Sequence, residues 1–141
     1  MPVQALGHTF PNLTTLSRYL YVSPSIANTI ANVSPRTITR ALKSGFLEGY
    51  CQLQPKPPVV TIQALAAWKT ARDFTGTLQR NNYTIHDYIT ACNILPLTVR
   101  RYAARRVNYT RRALQLVDGA RAGQIRIVLP DTPAGNLYAN D

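Results

Sequence analysis

The side chains best equipped for chemistry in this sequence are arginines, and they recur at helical spacing. Arg36, Arg40 and Lys43 fall on one face of a 3.6-residue repeat, with Thr39 beside them. A longer run holds Arg100, Arg101, Arg105, Arg106, Arg111, Arg112, Arg121 and Arg126, with only Asp118 among them. Guanidinium groups are permanent cations with forked donors, which suits phosphates and base edges. Sixteen basic residues against six acidic ones give a formal charge of +10. With so few acids, much of that charge must face outward or meet a partner, and a polyanion is the simplest one.

Other chemistries find little material. Cys51 and Cys92 make neither a disulfide framework nor a zinc set. His8 and His86 stand apart from any metal-like cluster, so neither a metal nor a cofactor is expected. No carboxylate pair sits in a recognisable active-site context, His86 has no spaced nucleophile, and Asp73 and Asp87 have no clear catalytic role. A non-enzymatic protein is the expectation. No apolar run reaches membrane-spanning length, and no basic start leads into a hydrophobic stretch. The default is therefore a cytosolic protein with no membrane partner. With 45% hydrophobic and 16% charged residues the chain is of globular composition.

The elements that must carry these arginines come from a weak internal repeat. Residues 32–42 align with residues 93–103 at a constant offset of 61: Asn32 with Asn93, Pro35 with Pro96, Thr37 with Thr98 and Arg40 with Arg101. Upstream, Ile26, Ala27, Ile30 and Val33 recur at helical spacing, as do Ile85, Tyr88, Ile89 and Cys92. Ser23-Pro24 reads as a hydroxyl cap followed by a first-turn proline. Asn32 suits the left-handed residue that ends a helix, and Ser34-Pro35 is a second cap and start. Thr84 takes the capping role in the second copy, whereas Leu95 cannot cap through its side chain. In the second helix of each pair, Ile38, Ala41 and Leu42, or Val99, Tyr102 and Ala103, face inward. Arg36, Thr39, Arg40 and Lys43, or Leu97, Arg100 and Arg101, face outward, with Arg105 near that edge.

Each pair is expected to be followed by a hairpin. In the first copy the strands are residues 46–54 and 59–62, around the rigid tip Pro55-Lys56-Pro57-Pro58. In the second they are residues 113–117 and 124–129, around a turn that carries Arg121. Gly45 is placed to stop the first outward helix. A helix over about 63–72 has Ala64, Leu65 and Trp68 on its inner stripe, and Leu13, Leu16, Tyr19 and Leu20 suggest an N-terminal helix. The expected fold class is α+β, with two tandem helix-turn-helix units related by duplication and carrying small antiparallel hairpins. The expected boundaries are a first unit at 1–72, a connector at 73–82, a second, divergent unit at 83–129 and a loose tail at 130–141.

Residues 23–70 resemble winged helix-turn-helix domains of the excisionase and MerR type. The parts that carry the resemblance are Ile26–Ala31, the turn Asn32-Val33-Ser34, Pro35–Leu42, Gly45 and Ala64–Trp68. Residues 84–128 resemble the pattern more weakly. The resemblance implies a double-stranded DNA-binding protein, of the kind found among recombination directionality factors, phage and transcription regulators, and small plasmid-transfer proteins. It implies that Arg36, Thr37, Thr39, Arg40 and Lys43 lie in or beside the major groove and that Lys56 touches the backbone. The corresponding positions in the second copy are Leu97, Thr98, Arg100 and Arg101. Arg105 and Arg121 extend the same basic surface.

Three functions compete on these residues. One is site-specific duplex binding through helices 35–43 and 96–104. Another is an architectural or nucleoprotein component that coats or bends DNA with little base selection. The last is an adaptor in which Leu97 marks a unit turned toward a protein partner or a second copy of the chain.

Overall fold

The computed structural model describes residues 2–44, 47, 59–74 and 96–129, with the side chains of residues 44, 71, 74 and 96–99 excepted. The chain opens with a hairpin of β1 (Val3–Ala5) and β2 (His8–Phe10), paired antiparallel with Val3 opposite Phe10. Its turn places Leu6 and Gly7 at φ values of 51° and 84°. A four-residue helix α1 (Leu13–Leu16) follows, started by Asn12, whose Oδ1 accepts the Thr15 N–H at 2.8 Å. The expected N-terminal helix is shorter than its pattern implied. Leu20 belongs to strand β3 (Leu20–Val22), with Leu20 and Val22 buried and Tyr21 between them only half-buried.

The pair that follows is built by local chemistry. Helix α2 (Pro24–Ala31) starts at Ser23, whose Oγ accepts the Ile26 N–H, and ends at Asn32 in the left-handed conformation, φ 57° and ψ 43°. Helix α3 (Pro35–Ser44) starts at Ser34, whose Oγ accepts the Thr37 N–H at 3.1 Å. Val33 is buried in the turn, and Ile38 and Ala41 anchor α3 in the core. Burying a residue such as Ile38 is worth about 1.5–3 kcal/mol, which fixes which face of α3 turns outward.

Strand β4 (Val60–Thr61) leads directly into helix α4 (Ile62–Phe74). Ala64 to Trp68 are all buried, so this helix is enclosed on more sides than a single inner stripe would require. Of the first expected hairpin, the returning strand is present as β4, but it pairs with β3, Val22 opposite Val60. Residues 48–58, with Lys56, and Gly45 lie outside the described residues, as do residues 75–95 and 130–141.

The second half departs most from expectation. Helix α5 (Pro96–Leu116) runs unbroken for 21 residues into a short 3-10 turn, Val117–Gly119. The strand expected at 113–117 does not form. No glycine or proline interrupts residues 97–117, and Tyr102, Tyr109 and Ala113 bury at helical spacing. Strand β5 (Ile125–Ile127) does form within the expected 124–129, but its partner is β3, Tyr21 opposite Arg126. The sheet order is therefore β4-β3-β5, with β3 central. Two further bonds extend the β3–β5 pairing, from Ser23 N–H to the Gln124 carbonyl and from Val128 N–H to the Tyr19 carbonyl.

Helix α5 lies mainly against α4 and α1 and also touches α2. Tyr102, Tyr109, Ala113 and Ile125 share one apolar cluster with Leu16, Val22, Ile30, Ile38 and Trp68. Both expected units thus contribute to a single core, and the second hairpin that would have given residues 83–129 their own wing is replaced by a strand serving the first half. No helix among the described residues is long and apolar enough to cross a membrane.

Candidate functional site

The outward face of α3 is the most basic feature that the first half builds. Arg36, Thr39, Arg40 and Lys43 stand at helical positions one, four, five and eight of that face. Arg36, Arg40 and Lys43 are exposed and Thr39 half-buried. Together they line an open depression of about 370 Å³. Residues 1–47 contain no aspartate or glutamate. Behind them, the buried Ile38 and Ala41 hold the helix, so the basic side chains are presented from a fixed support.

Thr37 has a different place. Its backbone N–H and its hydroxyl both engage Ser34, the two hydroxyl oxygens lying 2.8 Å apart. It serves the start of α3 and is half-buried there.

The arginines of α5 divide into two sets. Three tie the helix to the rest of the protein, each to a different element. Arg105 donates to Thr70 Oγ1 and to the Asp73 carboxylate on α4. Arg106 donates to Ser17 Oγ and to the Thr14 carbonyl, both at 3.0 Å, and its guanidinium lies over the Tyr102 ring. Arg112 donates to the Ile30 carbonyl in the last turn of α2 at 2.7 Å. The other three, Arg100, Arg101 and Arg111, are exposed and have no hydrogen-bond or ion-pair partner among the described residues. Arg121 is exposed too, its backbone N–H bonded to Gln124 Oε1.

Arg105 has partners within the fold. It was expected on the phosphate-facing surface, but its guanidinium is engaged by an acid and a hydroxyl of α4. Asp73 also takes two hydrogen bonds from Lys69, at 2.8 and 2.9 Å. Partial burial pushes the Asp73 carboxyl up, but Lys69 and Arg105 outweigh it and hold the group below its ordinary value of 3.8. The Lys69–Asp73 spacing of four residues was a visible sign of this pairing. The Arg112–Ile30 contact, across 82 positions, had no such sign.

Of the remaining expected residues, the Thr98 side chain and Lys56 lie outside the described residues. Among the described residues, no group of three His, Cys, Asp or Glu side chains could hold a metal ion. No family model, no curated protein and no solved structure matches the chain.

Chemically, the α3 face offers fixed cations, a hydroxyl and no general base. It can bind and orient an anionic surface.

Proposed function

We propose that the chain binds double-stranded DNA site-specifically in the cytoplasm, with the outward face of α3 in the major groove, and serves phage, plasmid or transcription control. The observation that carries this reading is the set Arg36, Thr39, Arg40 and Lys43 on one face of a helix anchored by its opposite side. Ten residues make a helix of about 15 Å, and the major groove, about 12 Å wide, admits such a helix. Arg36 and Arg40 are suited to paired hydrogen bonds on guanine. Thr39 suits a thymine methyl or a phosphate, and Lys43 suits a phosphate as a point charge.

Selecting bound duplexes from a random pool, with a salt titration of the winners, tests the proposal. Enrichment of a defined sequence that outcompetes random duplex at matched salt supports it. Retention of the whole pool without enrichment favours the second reading, an architectural protein that coats DNA. The exposed Arg100, Arg101, Arg111 and Arg121 outside α3 favour that alternative, because they add charge without belonging to the α3 face. Deleting residues 83–129 cannot separate these readings from an adaptor, because Tyr102, Tyr109, Ala113 and Ile125 are part of the shared core.

A further inference from the structure

We infer that the outer face of α5 is a second, sequence-independent contact surface for the phosphate backbone of nucleic acid, distinct in role from α3. The inference rests on the DNA-binding reading above and changes what the second half is for. A helix so rich in arginine has three obvious uses: pairing with acids inside the protein, lying on an anionic membrane, or tracking a polyanion.

The first use accounts for half of the set. Arg105, Arg106 and Arg112 are committed to α4, α1 and α2. It does not account for Arg100, Arg101 and Arg111, which have no partner among the described residues, on a helix whose 21 residues contain no acid.

The second use needs an apolar face free to enter lipid. The apolar side of α5, Tyr102, Tyr109 and Ala113, is already buried in the core. Among its described side chains, what the helix turns outward beside the arginines is short or polar: Ala103, Ala104, Asn108 and Gln115.

The third use fits the geometry. Arg100 and Arg111 are eleven residues apart, which is three turns, so they share one line along the helix about 16 Å apart. Arg101 lies roughly a quarter-turn around. The phosphates of one DNA strand repeat about every 3.4 Å of axis, so this line spans several of them. Short Ala104 between the arginines lets the helix approach. Nothing in this arrangement resembles the grouped α3 set that would enter a groove, so it would supply affinity without reading sequence.

The experiment compares the full-length chain with a variant carrying Arg100→Gln, Arg101→Gln and Arg111→Gln. Glutamine keeps helix propensity, and all three positions are exposed, so the thermal midpoint checks that the fold is unchanged. Binding is measured across 50–200 mM salt on the selected duplex and on a random-sequence duplex. The expected result is a fall in the salt slope on both duplexes by up to about 2.7, or about 0.9 for each phosphate that is no longer neutralised. The advantage of the native chain over the variant then shrinks about 40-fold across that salt range. The preference for the selected duplex stays the same. An unchanged slope overturns the inference while leaving the α3 reading intact. Weaker binding on the selected duplex alone also overturns it, because the residues would then read sequence. Failure of the native chain to hold any duplex at 50 mM salt sinks the DNA-binding reading itself, and this inference with it.

Discussion

Replacing Arg112 by methionine should destabilise the fold, whereas the same replacement at its neighbour Arg111 should not. Arg112 donates to the Ile30 carbonyl at 2.7 Å, near the end of α2, where helix carbonyls lack intrahelical partners. A hydrogen bond from a charged donor contributes about 1.5–3 kcal/mol when buried. Arg112 is exposed and the bond only part-buried, so about 1 kcal/mol is the better figure. A cation at a helix C-terminus adds about 0.3–1 kcal/mol at low salt. The expected loss is therefore about 1–2 kcal/mol, which for a domain of this size lowers the thermal midpoint by several degrees, roughly 3–8 °C. Arg111 keeps the same charge on the next residue but has no partner among the described residues, so its replacement should stay within about 0.5 kcal/mol. Urea unfolding of both variants against the native chain, at low salt, measures the difference. Equal midpoints for the two variants would refute the assignment of Arg112 as the residue that ties α5 to α2.

Three other outcomes follow from the packing. Asn32 holds a left-handed conformation at φ 57°, so Asn32→Val should cost about 1–2 kcal/mol in urea unfolding, while Asn32→Gly should be close to neutral. Trp68 is 1% exposed, and its indole N–H has no acceptor among the described residues. Trp68→Ala should therefore cost about 3–5 kcal/mol, and Trp68→Phe less than half of that, because no hydrogen bond goes with the ring nitrogen. The Asp73 carboxyl titrates below its ordinary value of 3.8 in the folded chain. Its stabilising contribution should be complete above about pH 4 and decline as the pH falls through the folded value. Urea midpoints at pH 5 and pH 2.5 should therefore converge between the native chain and Asp73→Asn at the lower pH. A constant gap would contradict the pairing with Lys69 and Arg105.

What could be read from the sequence was the chemistry that acts within a few residues. Ser23-Pro24, Asn32 and Ser34-Pro35 each specify a helix end by their own side chains, and all three ends form where expected. The inward and outward faces of α3 followed from Ile38 and Ala41 against Arg36 and Arg40. What depends on distant partners could not be read. The residues of β5 looked like a strand, but nothing local says that Ile125 pairs with Val22 rather than with residues 113–117. Residues 113–117 are apolar enough to read as a strand, yet Ala113 to Leu116 continue a helix whose buried side was already set by Tyr102 and Tyr109. The opening hairpin was missed because its turn uses Leu6 at positive φ, a conformation usually left to glycine, asparagine or aspartate. At the candidate site, Arg105 looked like its neighbours in the run, and the positions of Thr70 and Asp73 on α4 set it apart.

The central claim is that Arg36 and Arg40 read base edges from α3. Its most direct test is duplex affinity of the native chain and of the Arg36→Ala, Arg40→Ala double variant, on a selected and on a random duplex at one salt concentration. The native chain should prefer the selected duplex, and the variant, still folded, should lose about 1–3 kcal/mol of that preference for each arginine. The same preference in both proteins, or none in either, would contradict it.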